Sequence, residues 1–306
     1  MKITVATDKP FAAEAVELIK DRTIDAGFEF GLLENYKTKQ ELIDAACHTD
    51  ALIIRSDIVD KDVINASDRL KIVVRAGAGY DNIDVAAADE KGVVVMNTPG
   101  QNSNAVAELA IGMMVYTARE KFDGSSGTEL IGKKLGIHAY GNVGKRVAAI
   151  AKGFGMEVFA FDAFVQKSEI EKDGIKALDS VNDLYSICQY ISLHIPANDD
   201  TKNSIDYELL SKMPKNATLV NTARKEVIHE TDMLKVMAER PDFKYLSDIA
   251  PDNKNEFESK FGKRVFFTPK KMGAQTVEAN LNAAVASAVQ IINFFTNGDT
   301  TFQVNK

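Results

Sequence analysis

Short unbroken apolar runs alternate with amphipathic or alanine-rich stretches along the whole chain. The runs are ITVA from residue 3, ALII from 51, KIVV from 71, VVVM from 93, LGIHAY from 135 and EVFAF from 157. They continue as YISLHI from 190, ATLVN from 217, KYLSDI from 244 and VFFT from 265. Most are rich in β-branched residues and carry no alternating polar position, the signature of strands covered on both faces of a parallel sheet. Helical stretches between them supply the crossovers that parallel strands require. The pattern predicts an α/β protein.

Two helices are the clearest. Ser103 to Glu120 places Val106, Leu109, Ala110, Met113 and Thr117 on one side, with Asn102 or Ser103 as the cap. Thr276 to Asn297 repeats the spacing with Leu281, Ala284, Val285, Ala288, Ile291, Ile292 and Phe295, and Gly298 is the expected stop. At about 1.5 Å per residue this second helix is roughly 33 Å long, enough to pass between domains. A strand-like tail, Thr301 to Val304, follows it. Asp123-Gly-Ser-Ser-Gly127 is the one linker-like stretch, readable as a domain boundary or as a surface loop.

At 306 residues the chain has room for two domains, and 45% hydrophobic with 26% charged residues excludes disorder or a disulfide scaffold. The net charge of −7 and the lack of a basic run argue against nucleic acid. Cys47 and Cys188 lie far apart in no metal-ligand spacing and read as buried thiols of a reducing compartment. No secretory leader or 18-residue apolar run is visible, so the expectation is a cytoplasmic protein with no membrane partner and no metal.

The most informative stretch is LGIHAYGNVGKRVAAIAKGFGMEVFAFDAF, residues 135–164. A strand runs into Ala139-Tyr140-Gly141-Asn142-Val143-Gly144, then come a helix, a second strand and Asp162, 18 residues past Gly144. This is the dinucleotide fingerprint in its strand–turn–helix–strand setting. Gly141 admits the pyrophosphate to the backbone, the helix N-terminus faces its charge, and Gly144 allows close packing of helix on strand. Asp162 would take the adenosine ribose. Ala139 stands where the first glycine is usual, which is costly only if its φ is positive. No arginine follows Asp162 to neutralise a 2′-phosphate, so NAD is favoured over NADP.

Several segments resemble the D-2-hydroxyacid dehydrogenase family, and within it the members that oxidise phosphoglycerate. They are VVRAGAGYDNIDVAAADEKGVVVMNTPGQNSNAVAELAIGMM (73–114), LGIHAYGNVGKRVA (135–148), ISLHIPANDDTKN (191–203), LVNTARKEVIHE (219–230) and SDIAP (247–251). The resemblance implies two Rossmann-like doubly wound parallel-sheet domains with a cleft between them. A discontinuous substrate domain (1–98 plus 284–306) would flank an NAD-binding domain (99–283), the long helices crossing between them and 123–127 becoming a loop.

The family's roles transfer where residues match. Arg224 resembles the arginine that grips the substrate carboxylate and keto oxygen with its planar fork of donors; the plain alternative is a surface arginine. Asp248 resembles the acid that binds the nicotinamide carboxamide, and Thr222, His194 and Pro196 match positions beside the cofactor. Ala76, Gly77 and Ala78 resemble the loop whose N–H groups meet the carboxylate, and Asn102 an asparagine that reaches substrate. Arg55-Ser56 matches a pair directed at a phosphate, with Arg75 as a second candidate, although strand-end arginines are common. The implied substrate is 3-phosphoglycerate, the implied assembly a homodimer through the nucleotide domains. Because the chain ends at Lys306, a C-terminal regulatory domain and inhibition by serine through it are not expected.

One family residue is missing. The histidine usual after Thr-Pro is absent from Thr268-Pro-Lys270-Lys271-Met-Gly273, and so is its partner glutamate, the region reading Pro251-Asp-Asn-Lys-Asn. Lys270 or Lys271 fills the place, depending on whether one counts from Pro269 or from Gly273. His48 and His229 read as structural, and His138 as core. In one interpretation a lysine performs the acid/base step; lowering its pKa by about 2–3 units takes roughly 3–4 kcal/mol of burial and like-charge repulsion. A second interpretation is a non-catalytic NAD-sensing protein on the same fold, and a third a glyoxylate or hydroxypyruvate reductase.

Overall fold

The structure, a computed structural model, describes residues 1–305. The chain forms two compact units, residues 1–102 with 276–306 and residues 103–275. The helix Val277–Asn297 packs on the first unit's sheet through Ala284, Ala288 and Ile291.

The first unit holds β1 (Lys2–Thr7), β2 (Glu29–Glu34), β3 (Ala51–Ile54), β4 (Ile72–Arg75) and β5 (Val94–Asn97). All are parallel, in the order β2-β1-β3-β4-β5. Ile3, Val5, Ile53, Val74, Ala284, Ala288 and Ile291 close one face of the sheet, and Leu52, Ile54, Val63, Val73 and Val95 the other. The long helix is capped by the Thr276 side chain, which accepts the Ala279 N–H at 3.1 Å, and it stops where the sequence predicts, at Gly298 with φ +68°. The tail makes one isolated bridge, Gln303 to Met96, and Asn305 Oδ1 accepts the Val95 N–H at 2.7 Å, covering the free edge of β5.

The second unit holds β6 (Lys134–His138), β7 (Glu157–Phe161), β8 (Lys176–Ala177), β9 (Tyr190–Leu193), β10 (Thr218–Asn221), β11 (Lys244–Ser247) and β12 (Val265–Phe267). Its order is β12-β11-β10-β9-β6-β7-β8, again all parallel. Strand order reverses between β6 and β9, the switch point at which open α/β sheets take ligands beyond the carboxyl ends of the strands.

The α/β reading and its ten strands hold, and the structure adds β2 and β8. Both are edge strands, and β2 has no fully buried residue. The helix from Ser103 ends at Ala118, two residues before Glu120, because Glu120, Lys121 and Phe122 all take positive φ. Its expected cap is not made by Ser103, whose buried hydroxyl has no partner. Asp123–Gly127 is a loop within the second unit. Cys188 is buried, whereas Cys47 is only half-buried, its thiol donating to the Ala66 carbonyl. No helix among the described residues is long and apolar enough to cross a membrane, and none of their His, Cys, Asp and Glu side chains group to hold a metal ion.

Candidate active site

The nucleotide loop sits after β6. Gly141 caps the helix Asn142–Gly153 without a side-chain acceptor, so the first-turn N–H groups of Asn142, Val143 and Gly144 face outward. A Cβ on Gly141 would meet nothing within 4 Å, leaving room for a pyrophosphate. A Cβ on Gly144 would overlap the Ala139 carbonyl oxygen and lie 2.9 Å from Ile137 Cγ2, so only glycine lets the helix approach β6 this closely. Ala139 has φ +79°, the strained case for a residue with a Cβ.

Asp162 braces this loop. Its Oδ2 accepts the Tyr140 N–H at 2.6 Å, and its Oδ1 accepts those of Phe164 and Val165 at 2.8 and 2.9 Å. About four lone-pair sites are available on a carboxylate, so capacity remains for a ribose hydroxyl. Tyr140 serves the loop itself: its amide is spent on Asp162 and its hydroxyl on Asp173 at 3.0 Å.

Three neighbouring strands of the same sheet end in register, Leu193, Asn221 and Ser247 lying side by side. The next residue of each is His194, Thr222 and Asp248, and each carries a sealed polar atom without a protein partner: His194 Nε2, Thr222 Oγ1 and Asp248 Oδ1. Orphaned buried polar atoms are costly and uncommon, so a row of three at the switch-point edge marks where a polar ligand fits. Their chemistry, a ring nitrogen, a hydroxyl and a carboxylate oxygen, suits the amide and ribose of a nicotinamide nucleotide. Pro196 is exposed two residues beyond His194.

Burial raises the pKa of Asp248, while the Gly273 N–H, the Lys271 ammonium and the Arg224 guanidinium pull it back down. The Gly273 N–H donates to Oδ2 at 2.8 Å, and the Thr268 hydroxyl stands 2.9 Å from the Asp248 carbonyl and 2.7 Å from that of Lys270. Both lysines are exposed, and the Lys271 ammonium and Arg224 guanidinium both act to lower the Asp248 pKa. Asn221, buried at the end of β10, ties the arginine loop by donating to the Arg224 carbonyl at 2.8 Å and accepting the Ala223 N–H at 2.9 Å. Sequence reasoning used Gly273 and Asn221 only as landmarks. The glycine requirement at 273 and an amide side chain at a strand end were the available signals.

His138 and His194 sit at adjacent strand ends, the His194 N–H donating to the His138 carbonyl at 2.9 Å. Burial pushes His138 down to about 4, with the Asp162 carboxylate opposing. Burial and repulsion from His138 push His194 to about 3. His48 lies at a helix end and His229 at a helix start.

In the first unit the other candidates gather at the carboxyl ends of β3 and β4. Arg75 Nε donates to the Arg55 carbonyl at 3.0 Å, and a Cβ on Gly77 would overlap the Arg75 guanidinium. The Ala76 and Gly77 N–H groups are already spent on the Ile54 and Arg75 carbonyls at 2.8 Å each. Of that loop's three amides, the Ala78 N–H is the one left without an acceptor among the described residues. Ser56 is exposed beside Arg55, and Asn102 is half-buried at the end of the segment.

Residues 107–270 match the NAD-binding domain of the D-isomer-specific 2-hydroxyacid dehydrogenases. The chain is 37% identical to a D-3-phosphoglycerate dehydrogenase of Methanocaldococcus jannaschii over 216 residues, 66% of this chain and 41% of that protein. It is 35% identical to a hydroxypyruvate reductase of Thermotoga maritima over 240 residues, 74% of this chain and 76% of that one. Among solved structures, the NAD+-bound 3-phosphoglycerate dehydrogenase of Entamoeba histolytica is 47% identical, with a TM-score of 0.88 over 100% of this chain and 99% of that one. The chain spans about half the length of the curated phosphoglycerate dehydrogenases it matches, 41% of the M. jannaschii protein and 57% of the Archaeoglobus fulgidus one. The fingerprint loop, the row of orphaned polar atoms and these matches agree: this chain belongs to the D-isomer-specific 2-hydroxyacid dehydrogenases, with an NAD-binding domain.

Proposed function

We propose that this protein catalyses the NAD-dependent interconversion of D-3-phosphoglycerate and 3-phosphohydroxypyruvate. The observation that carries the reading is the row of unpartnered polar atoms on His194, Thr222 and Asp248 at the carboxyl edge of the nucleotide-binding sheet, in a chain 47% identical over its whole length to an NAD+-bound 3-phosphoglycerate dehydrogenase. When bound, NAD would supply the acceptor for the C2 hydride of the hydroxy acid, and NADH the donor for the keto acid.

Arg224 offers a rigid fork of donors to the carboxylate and the C2 oxygen and so fixes the reacting face. Lys271 takes the hydroxyl proton during oxidation and donates it to the forming alkoxide during reduction, its positive charge stabilising that oxygen. Lys270 is the weaker candidate for this step. Asp248, with Oδ1 unpaired, would hold the cofactor amide. A carboxylate partner for the lysine would raise its pKa and hinder it as a base, which fits a lysine at this position without the family's glutamate. In the first unit, Arg55, Ser56 and Arg75 are the residues proposed for the phosphate. A cytoplasmic homodimer working at the entry to serine synthesis accompanies this reading.

The test is NADH consumption with 3-phosphohydroxypyruvate, hydroxypyruvate and glyoxylate. A kcat/KM at least about tenfold higher for the phosphorylated acid, worth about 1.4 kcal/mol in transition-state binding, supports the proposal. A preference for hydroxypyruvate or glyoxylate makes the protein a reductase of unphosphorylated acids. Turnover of none leaves a cofactor-binding protein.

A further inference from the structure

Arg55 leaves the carboxyl end of β3, and its guanidinium is held on three sides. Nη1 donates to the Lys9 and Pro10 carbonyls at 3.3 and 3.0 Å. The Phe11 ring lies against it with the centroid 5.1 Å from Cζ. Nη2 donates to Asn280 Oδ1 at 3.0 Å. A guanidinium has five N–H donors, so these bonds leave Nε–H and one Nη2–H without a protein acceptor among the described residues. Those two nitrogens share one edge of the guanidinium, the arrangement that grips two oxygens of a phosphate.

The orientation of Asn280 is decided by its other bond. Its Nδ2 donates to the Thr276 carbonyl at 2.8 Å, one turn back in the same helix, so Oδ1 must face the arginine. Asparagine also leaves the guanidinium charge intact, whereas a carboxylate at the same spot would neutralise it.

We propose that Asn280 is a positioning residue for phosphate recognition: it locks Arg55 so that the Nε/Nη2 edge faces the substrate phosphate. The inference rests on the reading of the substrate as a phosphorylated acid. Asn280→Ala releases Nη2 and adds side-chain freedom that binding must then remove; Asn280→Asp offers Arg55 an internal counter-ion that competes with the phosphate.

Steady-state kinetics of the wild type, Asn280→Ala, Asn280→Asp and Arg55→Gln with 3-phosphohydroxypyruvate and hydroxypyruvate test it. Asn280→Ala is expected to raise KM for the phosphorylated acid about tenfold, on the order of one charged hydrogen bond. Asn280→Asp should raise it further, with kcat and the KM for hydroxypyruvate unchanged in both. If the alanine variant does not fold, the aspartate, which preserves shape, carries the comparison. An equal rise for both acids, or no rise for either variant, overturns the assignment. If Arg55→Gln weakens the phosphorylated acid and the Asn280 variants do not, this inference fails alone. If the wild type shows no preference for the phosphorylated acid, the substrate reading and this inference fail together.

Discussion

Asp248 Oδ2 accepts the Gly273 N–H at 2.8 Å, and a Cβ on residue 273 would stand 2.9 Å from that same oxygen. The carboxylate is fully buried and its other oxygen is unpaired. Its pKa is raised in the folded protein by burial, so its ionisation works against the folded state. Stability from this group is complete below the ordinary carboxylate value, near 3.9, and is lost as pH rises through the higher folded value. An asparagine in place of the acid would keep an acceptor for Gly273 without the charge. Asp248→Asn is therefore expected to melt higher than wild type at pH 7, with the difference shrinking toward pH 4, while NAD binding weakens. Thermal melts across that range, with cofactor titrations at pH 7, check both halves; a lower melting temperature at pH 7 contradicts the first.

Gly144 has no space for a methyl group, because the obstacle is the Ala139 backbone oxygen and cannot rotate away. Gly144→Ala should cost about 1–3 kcal/mol, the usual range for overpacking, and shift the helix N-terminus enough to raise the KM for NAD. Urea unfolding and cofactor kinetics on the same variant measure the two effects; an unchanged midpoint would show that the helix can move outward freely.

Ala139 is the converse case. At φ +79° its Cβ meets a penalty of about 1–2 kcal/mol, partly offset because glycine loosens the unfolded chain. Ala139→Gly is expected to stabilise the protein by roughly 0.5–1 kcal/mol, read as a higher urea midpoint with the m-value unchanged. A loss of stability would mean that the Ala139 methyl group contributes packing that outweighs its strain.

The two adjacent histidines predict acid sensitivity. Their folded pKa values, about 4 for His138 and about 3 for His194, lie below the usual 6.5. The neutral rings therefore favour folding above pH 6.5, and that contribution is lost as pH falls toward 4. Melting temperature followed between pH 7 and pH 4 should drop less steeply in a His138→Gln/His194→Gln double variant than in wild type. Parallel curves would assign the acid loss to other groups.

The central strands were legible because each is an unbroken apolar block; β3, buried at all four positions, is the plainest. β2 and β8 were not, since an edge strand buries little and keeps its polar residues. The fingerprint loop was readable as far as the open position at Gly141 and the crowded one at Gly144, which the spacing alone distinguishes. The lysine ambiguity was not resolvable from the chain, because Pro269 and Gly273 set different registers, and both side chains are exposed in the fold. The hydrogen bond between Arg55 and Asn280 joins residues 225 positions apart, and no local pattern announces it.

Substitution of each lysine by methionine, with single-turnover hydride transfer from NADH to 3-phosphohydroxypyruvate, is the most direct test of the account. Lys271→Met should slow the step by about 10²-fold or more, the usual contribution of a positioned acid or base, with Lys270→Met within a few-fold of wild type. Wild-type transfer in Lys271→Met, or the larger loss in Lys270→Met, would contradict the assignment.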